Sequence, residues 1–325
     1  MTNDSSRRKL ISIVTPCYNE ADNVEDCHRA IRELFENELA AYDFEHIFSD
    51  NASADATPDI LRRMAAADRR VKVILNARNF GPFRSDFNAV LSASGDAVLL
   101  LFAADQQDPP EAIPEMVKRW EEGHEVVNGV RANREESLLM RSVRRVYYRL
   151  VRRFAEVDIP VDAGEFQLID RAVANELRKI DDYYPYIRGL VASCGFRRAS
   201  VSYTWKARRR GLSKNRLYHL FDQGLNGLIS FTNLPMRLCL LIGLLIAILS
   251  ATLAVVNSII NLLHHGLAPP GIPTLIAAVF FFGGVQLAFL GVLGEYISAI
   301  HSQVRRRPLV VERERINFDP PESSP

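Results

Sequence analysis

The loop after the apolar run Ala97–Phe102 is rich in oxygen donors that could hold a metal ion. It reads Ala104-Asp105-Gln106-Gln107-Asp108-Pro109-Pro110-Glu111. Mg²⁺ takes oxygen ligands from one or two carboxylates and completes its shell with phosphates and water. The carboxylate of Asp105 and the amide oxygen of Gln107 suit that role, and the cation would offset the charge of a nucleotide diphosphate. We therefore predict a Mg²⁺ or Mn²⁺ site at Asp105 and Gln107.

Two more polar clusters directly follow apolar runs nearer the N-terminus. The first spans Thr15–Glu20 and the second spans Ser49–Thr57. In the second cluster, the Asp50 carboxylate can accept hydrogen bonds from the donors of a base or a ribose. Asp55 and Thr57 are residue types typical of turns and helix N-caps. We therefore interpret Asp50 as a nucleotide contact, and Asp55 and Thr57 as capping residues.

The elements that position these clusters follow from the spacing of apolar residues. Short runs that favour strands lie at Leu10–Thr15, Phe44–Ser49, Val71–Leu75, Ala97–Phe102 and Val126–Asn128. Helical patterns alternate with them at Asn23–Leu39, Pro58–Ala67, Arg84–Ser94 and Glu111–Glu122. This alternation predicts an α/β fold with a mostly parallel sheet covered by helices. Ligands bind beyond the carboxyl ends of such strands, which is where the polar clusters fall.

The composition excludes several classes of protein. Lys plus Arg number 40 and Asp plus Glu 39, so the net charge of +1 argues against a general nucleic-acid binder. The four cysteines form no CxxC pair, which argues against a disulfide framework and against a zinc site. Only the short stretch Leu10–Val14 follows the first basic residues, whereas a secretory signal needs about 7–15 apolar residues. The N-terminal half is therefore expected in the cytoplasm.

The last third of the chain has the pattern of a membrane anchor. Residues 206–236 combine a basic stretch with apolar residues at helical spacing, which is typical of a segment in the lipid interface. Two uncharged runs follow, Leu238–Val256 and Thr274–Gly294, and each reaches the roughly 20 residues that a membrane-spanning helix needs. Arg237 precedes the first run and Arg305–Arg307 follow the second. The positive-inside rule therefore predicts that both termini are cytoplasmic.

Together these motifs resemble glycosyltransferase family 2 with a GT-A fold. The three polar clusters have the order and spacing of that family, as do Arg78-Asn79-Phe80-Gly81 and Gly164-Glu165-Phe166-Gln167-Leu168-Ile169-Asp170-Arg171. Later motifs resemble the polyprenyl-phosphate branch, which includes dolichyl-phosphate mannose synthase-like and GtrB-type enzymes. These motifs are Ser213-Lys214, Phe231-Thr232-Asn233-Leu234-Pro235, Leu293-Gly294-Glu295-Tyr296-Ile297 and Arg306-Arg307-Pro308-Leu309.

The resemblance implies roles for individual residues. Nucleotide contacts are expected at five positions: Pro16, Tyr18, Glu20, Asp50 and Asn79. Asp105 and Gln107 would contact the metal and the diphosphate, and Asp105 and Glu165 are the expected catalytic residues. Four cations could hold the phosphate oxygens of the acceptor: Arg131, Arg134, Arg210 and Lys214.

The chain departs from the family pattern at two places. The metal motif usually reads Asp-x-Asp, and its first Asp is Ala103 here. The acceptor-side motif usually carries Asp and Arg where this chain has Glu165 and Gln167. Glu165 keeps the carboxylate on a longer arm, whereas Gln167 removes a cation that might have contacted phosphate.

The implied activity is the inverting transfer of a sugar from a nucleotide-sugar, with UDP favoured, to a polyprenyl phosphate. A transferase that builds a polymer would need more membrane spans and a Gln-x-x-Arg-Trp motif, which the sequence lacks. The alternative from another class is a non-catalytic membrane protein that binds a nucleotide-sugar or a lipid phosphate, and Ala103 favours it. UDP-glucose, UDP-N-acetylhexosamine, a modified UDP-sugar and GDP-mannose all remain open as donors.

These expectations divide the chain into four parts. They are a GT-A catalytic domain at 1–205, a basic amphipathic juxtamembrane segment at 206–236, a two-helix transmembrane domain at 237–303 and a cytoplasmic tail at 304–325. The tail beyond Val311, charged and then rich in Pro and Ser, is predicted to be disordered. The protein is expected in the inner cell membrane as a multi-pass protein, and the resemblance suggests a homotetramer.

Overall fold

The computed structural model describes residues 7–131, 163–204, 272–305 and 307–319, together with residues 241–243, 245, 246, 248, 249, 252, 256 and 259. The described residues fall into two compact units. The first holds residues 7–131, 163–204 and 307–319, and the second holds the described residues from 241 to 305. The second unit is therefore an insertion in the chain of the first.

An eight-stranded sheet organises the first unit. Its strands are β1 (Leu10–Cys17), β2 (Asp43–Asp50), β3 (Val71–Asn76), β4 (Ala97–Leu100), β5 (Val126–Arg131), β6 (Ala163–Asp170), β7 (Arg198–Tyr203) and β8 (Glu312–Ile316). Their order across the sheet is β7-β5-β6-β4-β1-β2-β3-β8. The pairs β1–β2, β1–β4, β2–β3 and β5–β7 are parallel, whereas β6 and β8 run antiparallel to their neighbours. This confirms the α/β fold with a mostly parallel sheet.

Helices cover both faces of the sheet. They are α1 (Val24–Asn37), α2 (Thr57–Ala67), α3 (Pro82–Leu91), α4 (Ile113–Glu121), α5 (Arg171–Leu177) and α6 (Ile187–Ser193). Proline stands in the first turn of α2, α3 and α4, where its missing N–H leaves no helical hydrogen bond unmade. The four helical patterns predicted from the sequence correspond to α1–α4.

The core lies in two layers, one on each face of the sheet. Side chains alternate between faces along each strand, so Ile13 packs in one apolar cluster and the next residue, Val14, packs in the other. The first cluster includes residues of α1, α2 and α4, and the second includes residues of α3, α5 and α6. Fully buried side chains such as Phe48 and Phe87 each stabilise the fold by roughly 1.5–3 kcal/mol.

The prediction of disorder after Val311 is wrong for the first part of the tail, because Glu312–Ile316 form β8 at the edge of the sheet. β8 pairs antiparallel with β3, and Ile316 packs against the first apolar cluster. Glu314 is paired, since its Oε2 lies 2.9 Å from Nη2 of Arg62. The charged residues that suggested disorder therefore belong to an ordered strand. Glu314 pairs with Arg62 of α2, and Ile316 anchors the strand in the core. The strands β6 and β7 were likewise not expected from the sequence.

The second unit contains the long apolar helix α7 (Ile272–Val304), within which the predicted span Thr274–Gly294 falls. In the described part of the chain, α7 is the one helix long and apolar enough to cross a membrane. Its apolar side chains are exposed, and Leu287 is 71% exposed. A Cβ built on Gly243 would lie 3.6 Å from the Phe289 ring, so residues of the two apolar runs approach each other. Most of the first predicted span lies outside the described residues.

The residue after β8 supplies a test of how this strand is held. Asn317 has a φ of 62°, and its Nδ2 donates to the carbonyl oxygens of Ala65 at 2.7 Å and Val71 at 2.9 Å. Asn317→Ala loses both hydrogen bonds and puts alanine, which tolerates the left-handed region less well than asparagine, at this φ, for a total cost of about 2 kcal/mol. We expect the thermal midpoint of the purified protein, followed by circular dichroism, to fall by about 4–8 °C.

Asn317→Gly is the matched control, because it loses the hydrogen bonds without the conformational cost. Its midpoint should lie between those of Asn317→Ala and the wild type. Wild-type stability of Asn317→Ala would show that β8 is not held as described.

Candidate active site

The carboxyl ends of β1, β2 and β4 lie side by side at one edge of the sheet. Cys17 pairs with Asp50 across β1 and β2, and the N–H of Phe102 after β4 donates to the carbonyl of Val14 at 2.9 Å. Four non-glycine residues in the loops at this edge have φ between 52° and 60°: Asn19, Ala52, Leu101 and Gln106. Such backbone strain concentrates at ligand-binding sites. The three polar clusters therefore meet at one strained edge.

The loops after β1 and β2 are joined by hydrogen bonds between side chains and backbone. Asn19 N–H donates to Ser53 Oγ at 2.8 Å, and Glu20 N–H donates to Thr57 Oγ1 at 2.9 Å. Asp55 Oδ1 accepts from the N–H of Thr57 at 3.0 Å, at the start of α2. The N-cap position of α2 is Ala56, without a side-chain cap, so the capping interpretation is wrong for Thr57. Asp55 and Thr57 instead join the β1 loop to the start of α2, because Asp55 also accepts from the N–H of Ala21 at 3.2 Å.

Asp50 ends β2 as a buried carboxylate. It accepts a hydrogen bond from Ser53 N–H at 3.0 Å and a shorter one from the Ser53 hydroxyl. Burial raises the pKa of Asp50, and the two hydrogen bonds from Ser53 oppose that rise. Asp50 is therefore held rigidly beside the β1 loop, where the sequence predicted a nucleotide contact.

The other four predicted nucleotide contacts also lie at this edge. Pro16 pairs with Ser49 in the register of β1 and β2, and Tyr18 presents a side chain that is 40% exposed. Glu20 accepts from Asn23 Nδ2 at 2.6 Å. Asn79 is tied to the residue after Asp50, because its Oδ1 accepts from Nδ2 of Asn51 at 3.1 Å. These placements are consistent with one nucleotide site, and the contacts themselves stay predictions.

Asp105 and Gln107 lie in the loop after β4. Asp105 Oδ1 accepts from the N–H of Gln107 at 3.2 Å, which orders the turn around Gln106. Burial raises the pKa of the Cys27 thiol to about 12 against an opposing hydrogen bond with Thr15, and the charges of Asp105 and Glu20 add to the rise. Asp105 and Glu20 therefore lie near the same thiol, so the β4 loop faces the β1 loop.

The donor set for a metal ion is small. No group of three or more His, Cys, Asp or Glu residues in the described part of the chain could hold a metal ion. Asp105 supplies one carboxylate and Ala103 supplies none. This fits a magnesium-like ion that takes most of its ligands from phosphates and water, and it does not fit a site preformed by the protein alone.

Arg131 is half-buried and contacts two buried side chains, Asp108 and Tyr203. The Tyr203 hydroxyl donates to Oδ1 of Asp108 at 2.5 Å, and Arg131 Nε donates to the Tyr203 oxygen at 3.3 Å. Arg131 Nη2 lies 3.4 Å from the same Asp108 oxygen. Burial lowers the pKa of the Arg131 guanidinium, but its contacts with Tyr203 and Asp108 outweigh that effect, so the pKa is raised overall. The group holds a permanently charged cation at the ends of β5 and β7.

The carboxyl groups of Glu165 and Asp86 interact electrostatically. Protein packed around Glu165 raises the pKa of its carboxyl, although the residue itself is exposed, and Arg188 and Arg131 oppose the rise. Burial raises the pKa of Asp86 well above its ordinary value, and the charge of Glu165 adds to the rise. Burial raises the pKa of the Cys17 thiol, and the charges of Asp50 and Asp86 both add to that rise. These interactions place Glu165, predicted to lie on the acceptor side, near the predicted nucleotide site.

Gln167 is buried on β6 and faces β5. Its Nε2 donates to Oδ1 of Asn128 at 2.9 Å and to the carbonyl of Gly164 at 3.4 Å. Its Oε1 is buried without a hydrogen-bond partner among the described residues. Gln167 thus supports the sheet beneath the Glu165 position.

Three predicted acceptor contacts, Arg134, Arg210 and Lys214, lie outside the described residues. Conversely, no role was predicted from the sequence for Asp86, Asp108, Arg188 or Tyr203. Asp108 lay within the quoted β4 loop, and a carboxylate on the buried face of α3 could have pointed to Asp86. Nothing local to the sequence marks Tyr203, because its partners come from two distant segments.

Comparison with known proteins decides the family. The model of glycosyl transferase family 2 matches residues 12–178, which is about half of the chain. The chain belongs to glycosyl transferase family 2. A second model, the GtrB C-terminal hairpin, matches residues 234–300 of this glycosyltransferase. The α/β first unit is therefore a GT-A domain, as the motifs indicated.

Relatives match the glycosyltransferase over nearly its whole length. A Bacillus subtilis (strain 168) protein, provisionally named as the glycosyltransferase CsbB, is 34% identical over 98% of this chain and 96% of its own. The SfII prophage-derived bactoprenol glucosyl transferase of Shigella flexneri is 32% identical over 95% of this chain and 99% of its own. A solved structure, the mannosyltransferase PcManGT from Pyrobaculum calidifontis with GDP-Man and Mn²⁺, aligns with a TM-score of 0.46 and 17% identity over 93% of this chain and 87% of its own.

The Asp108–Tyr203–Arg131 group yields a test. Tyr203→Phe removes the hydroxyl that bridges Asp108 and Arg131, and a hydrogen bond to a charged group contributes about 1.5–3 kcal/mol. We expect kcat/KM for glycosyl transfer to fall by at least about tenfold, because Arg131 loses its fixed position.

Tyr42→Phe is the matched control, since Tyr42 also donates to a carboxylate, Glu121 Oε1 at 3.1 Å, at the opposite end of β2. It should leave kcat/KM unchanged. Circular dichroism checks that both variants are folded. If they are, equal kcat/KM for the two would contradict a role for the Asp108–Tyr203–Arg131 group in the site.

Proposed function

We propose that this glycosyltransferase moves a sugar from a nucleotide-sugar to a polyprenyl phosphate at the cytoplasmic face of a membrane. The observation that carries the proposal is the match of one chain to both the catalytic family and the GtrB C-terminal hairpin. The whole-length relatives named as bactoprenol glucosyl transferases support a polyprenol-based acceptor. The site chemistry below supports a donor with a diphosphate.

The nucleotide of the donor lies across the ends of β1 and β2 in this proposal. Tyr18 offers an exposed aromatic ring against which a base can stack, and the fixed Asp50 carboxylate accepts from a base or ribose donor. Pro16, Glu20 and Asn79 shape the same pocket. We favour a UDP-linked sugar.

Asp105, with Gln107, would hold Mg²⁺ or Mn²⁺ beside the diphosphate. Such an ion offsets the negative charge that develops on the leaving diphosphate. The protein's own part is to place the Asp105 carboxylate on a turn ordered by the Gln107 N–H. Because Ala103 adds no second carboxylate, we expect the ion to bind together with the donor.

The acceptor is already a nucleophile when it arrives. A phosphate monoester has its second pKa near 6, so one of its oxygens is largely ionised at neutral pH. That oxygen attacks the anomeric carbon from the face opposite the diphosphate, the bond from this carbon to the diphosphate breaks, and the configuration inverts. Glu165 therefore orients the acceptor or the sugar and need not remove a proton. Catalysis then rests on the positioning of two anions.

Cations hold the acceptor phosphate in this proposal. Arg131 is fixed by Tyr203 and Asp108 on the side of Glu165. Arg134, Arg210 and Lys214 are proposed to complete the phosphate site from the neighbouring segments.

A two-helix membrane anchor completes the proposal. The hairpin match covers both apolar runs, and Arg237 and Arg305–Arg307 flank them. Both termini and the catalytic domain are then cytoplasmic by the positive-inside rule. Two spans make a thin bundle, so we propose self-association to a homotetramer.

A panel of radiolabelled nucleotide-sugars tests the function. The full chain in detergent is incubated with undecaprenyl phosphate, Mn²⁺ and each donor, and label is counted in the organic phase. We expect one donor to yield a labelled lipid. Nucleotide binding without consumption of any donor would favour the alternative, a non-catalytic binding protein, to which Ala103 points.

Two variants test the assigned residues in the same assay. Asp105→Asn should abolish turnover, whereas Asp59→Asn, a carboxylate paired with Arg62 on the surface of α2, should not change it. Near-normal turnover of Asp105→Asn would refute the metal assignment. Glu165→Gln should cost less than about 10⁴-fold, because the acceptor is already ionised, and a larger loss would establish Glu165 as a general base.

A further inference from the structure

We propose that a cationic pocket at the β3–β8 edge of the sheet binds a phosphate group. The pocket has a volume of about 370 Å³ and is lined by arginine and aromatic side chains, including Arg78, Phe80, Arg84, Tyr183 and Arg307. All its lining residues belong to the first unit. It lies beyond β3. Of the predicted nucleotide contacts, Asn79 stands between the lining residues Arg78 and Phe80, whereas the other four lie in β1, at the end of β2 or in the loop after β1.

The C-terminal strand builds one wall of this pocket. The N–H of Ala77 donates to the carbonyl of Val311 at 2.8 Å, and Asn76 pairs with Glu312 where β3 meets β8. This pairing draws the segment that carries Arg307 against the loop that carries Arg78. Two arginines distant in sequence therefore line one cavity.

Arg84 is held in place at the pocket wall. Its Nε donates to the carbonyl of Phe80 at 3.0 Å, and its Nη1 donates to the Tyr183 hydroxyl at 2.7 Å. The guanidinium also lies over the Tyr183 ring, 4.8 Å from its centroid. The Nη2 donors have no partner among the described residues. Arg78 is ordered in a similar way, since its guanidinium lies 4.0 Å from the centroid of Phe80.

The charge of the pocket is uncompensated. No carboxylate lines it, and none of Arg78, Arg84 and Arg307 forms an ion pair in the part of the chain that the structure describes. Three cations around one cavity repel each other, and a bound anion removes that repulsion. Guanidinium groups match the geometry of phosphate oxygens and bind them in pairs of hydrogen bonds. A phosphate group is therefore the ligand that this donor set fits.

The position of Arg307 in the chain indicates one source of that phosphate. Arg307 follows the end of α7 at Val304 by three residues, and α7 is the apolar helix of the proposed membrane anchor. Basic sites directly next to membrane spans bind anionic lipid headgroups. This assignment of the source rests on the proposed function, whereas the phosphate chemistry of the pocket does not.

A binding titration tests the pocket. The full chain in neutral detergent is titrated with acyl-labelled phosphatidylglycerol, with acyl-labelled diacylglycerol as the reference that lacks phosphate. Arg307→Gln should weaken phosphatidylglycerol binding by about tenfold, the loss expected for charge-assisted hydrogen bonds to one guanidinium. Arg84→Gln should weaken binding too. Because Arg307 is exposed, Arg307→Gln should leave the fold intact, so its loss of affinity cannot be attributed to misfolding.

Arg305→Gln is the matched control, because it removes the same charge two residues earlier from a side chain that does not line the pocket. It should bind phosphatidylglycerol like the wild type. The proposal is overturned if Arg305→Gln loses as much affinity as Arg307→Gln, or if Arg307→Gln loses none.

Competition with inorganic phosphate identifies the source. Displacement of the labelled lipid from the wild type by inorganic phosphate indicates a site for free phosphate, and resistance to displacement indicates a site for lipid. Sugar transfer to undecaprenyl phosphate is measured on the same preparations. A wild type that binds phosphatidylglycerol through Arg307 but transfers no sugar would refute the proposed function and leave this inference standing.

Discussion

Buried carboxyl groups at one edge of the sheet are the constraint on which the rest of the site depends. Asp50, Asp86 and Asp108 are all buried there, with Glu165 beside them. An ionised carboxylate out of water costs several kcal/mol unless donors or cations compensate it. Ser53 compensates Asp50, and Tyr203 with Arg131 compensates Asp108. An anionic diphosphate can enter such an edge only with a cation between it and the carboxylates. The metal ion proposed at Asp105 would meet that electrostatic requirement.

The same edge explains why arginines are placed around it. Arg131 is fixed through two partners, so its position does not depend on a flexible side chain. In the proposed reaction, a second anion, the acceptor phosphate, must approach within bonding distance of the first, and fixed cations reduce the repulsion between them. The second unit is inserted within the chain of the first, and this connection restrains the proposed membrane anchor at both of its ends. Both ends of the proposed anchor are joined to the catalytic domain, and β8 binds the returning chain to the sheet.

Much of the fold could be predicted because apolar periodicity is a local property. The five strands and four helices of the first 131 residues were placed within a few residues, and the parallel sheet implied that Asp50 and Asp105 share an edge. β8 was missed because Glu-Arg-Glu-Arg reads as a solvated tail. Its order depends on Ile316, Arg62 and the backbone of β3, which are remote in sequence. Asp86 and Tyr203 were missed for the same reason, since tertiary neighbours give them their roles.

The central claim is that a nucleotide binds across the ends of β1, β2 and β4. Hydrogen–deuterium exchange of the full chain with Mn²⁺, in the presence and absence of UDP or GDP, measures this directly. We expect one nucleotide to slow exchange in peptides covering residues 15–21, 50–57 and 101–108, and to leave residues 312–316 unchanged. Protection limited to other segments, or no protection with either nucleotide, would contradict the account.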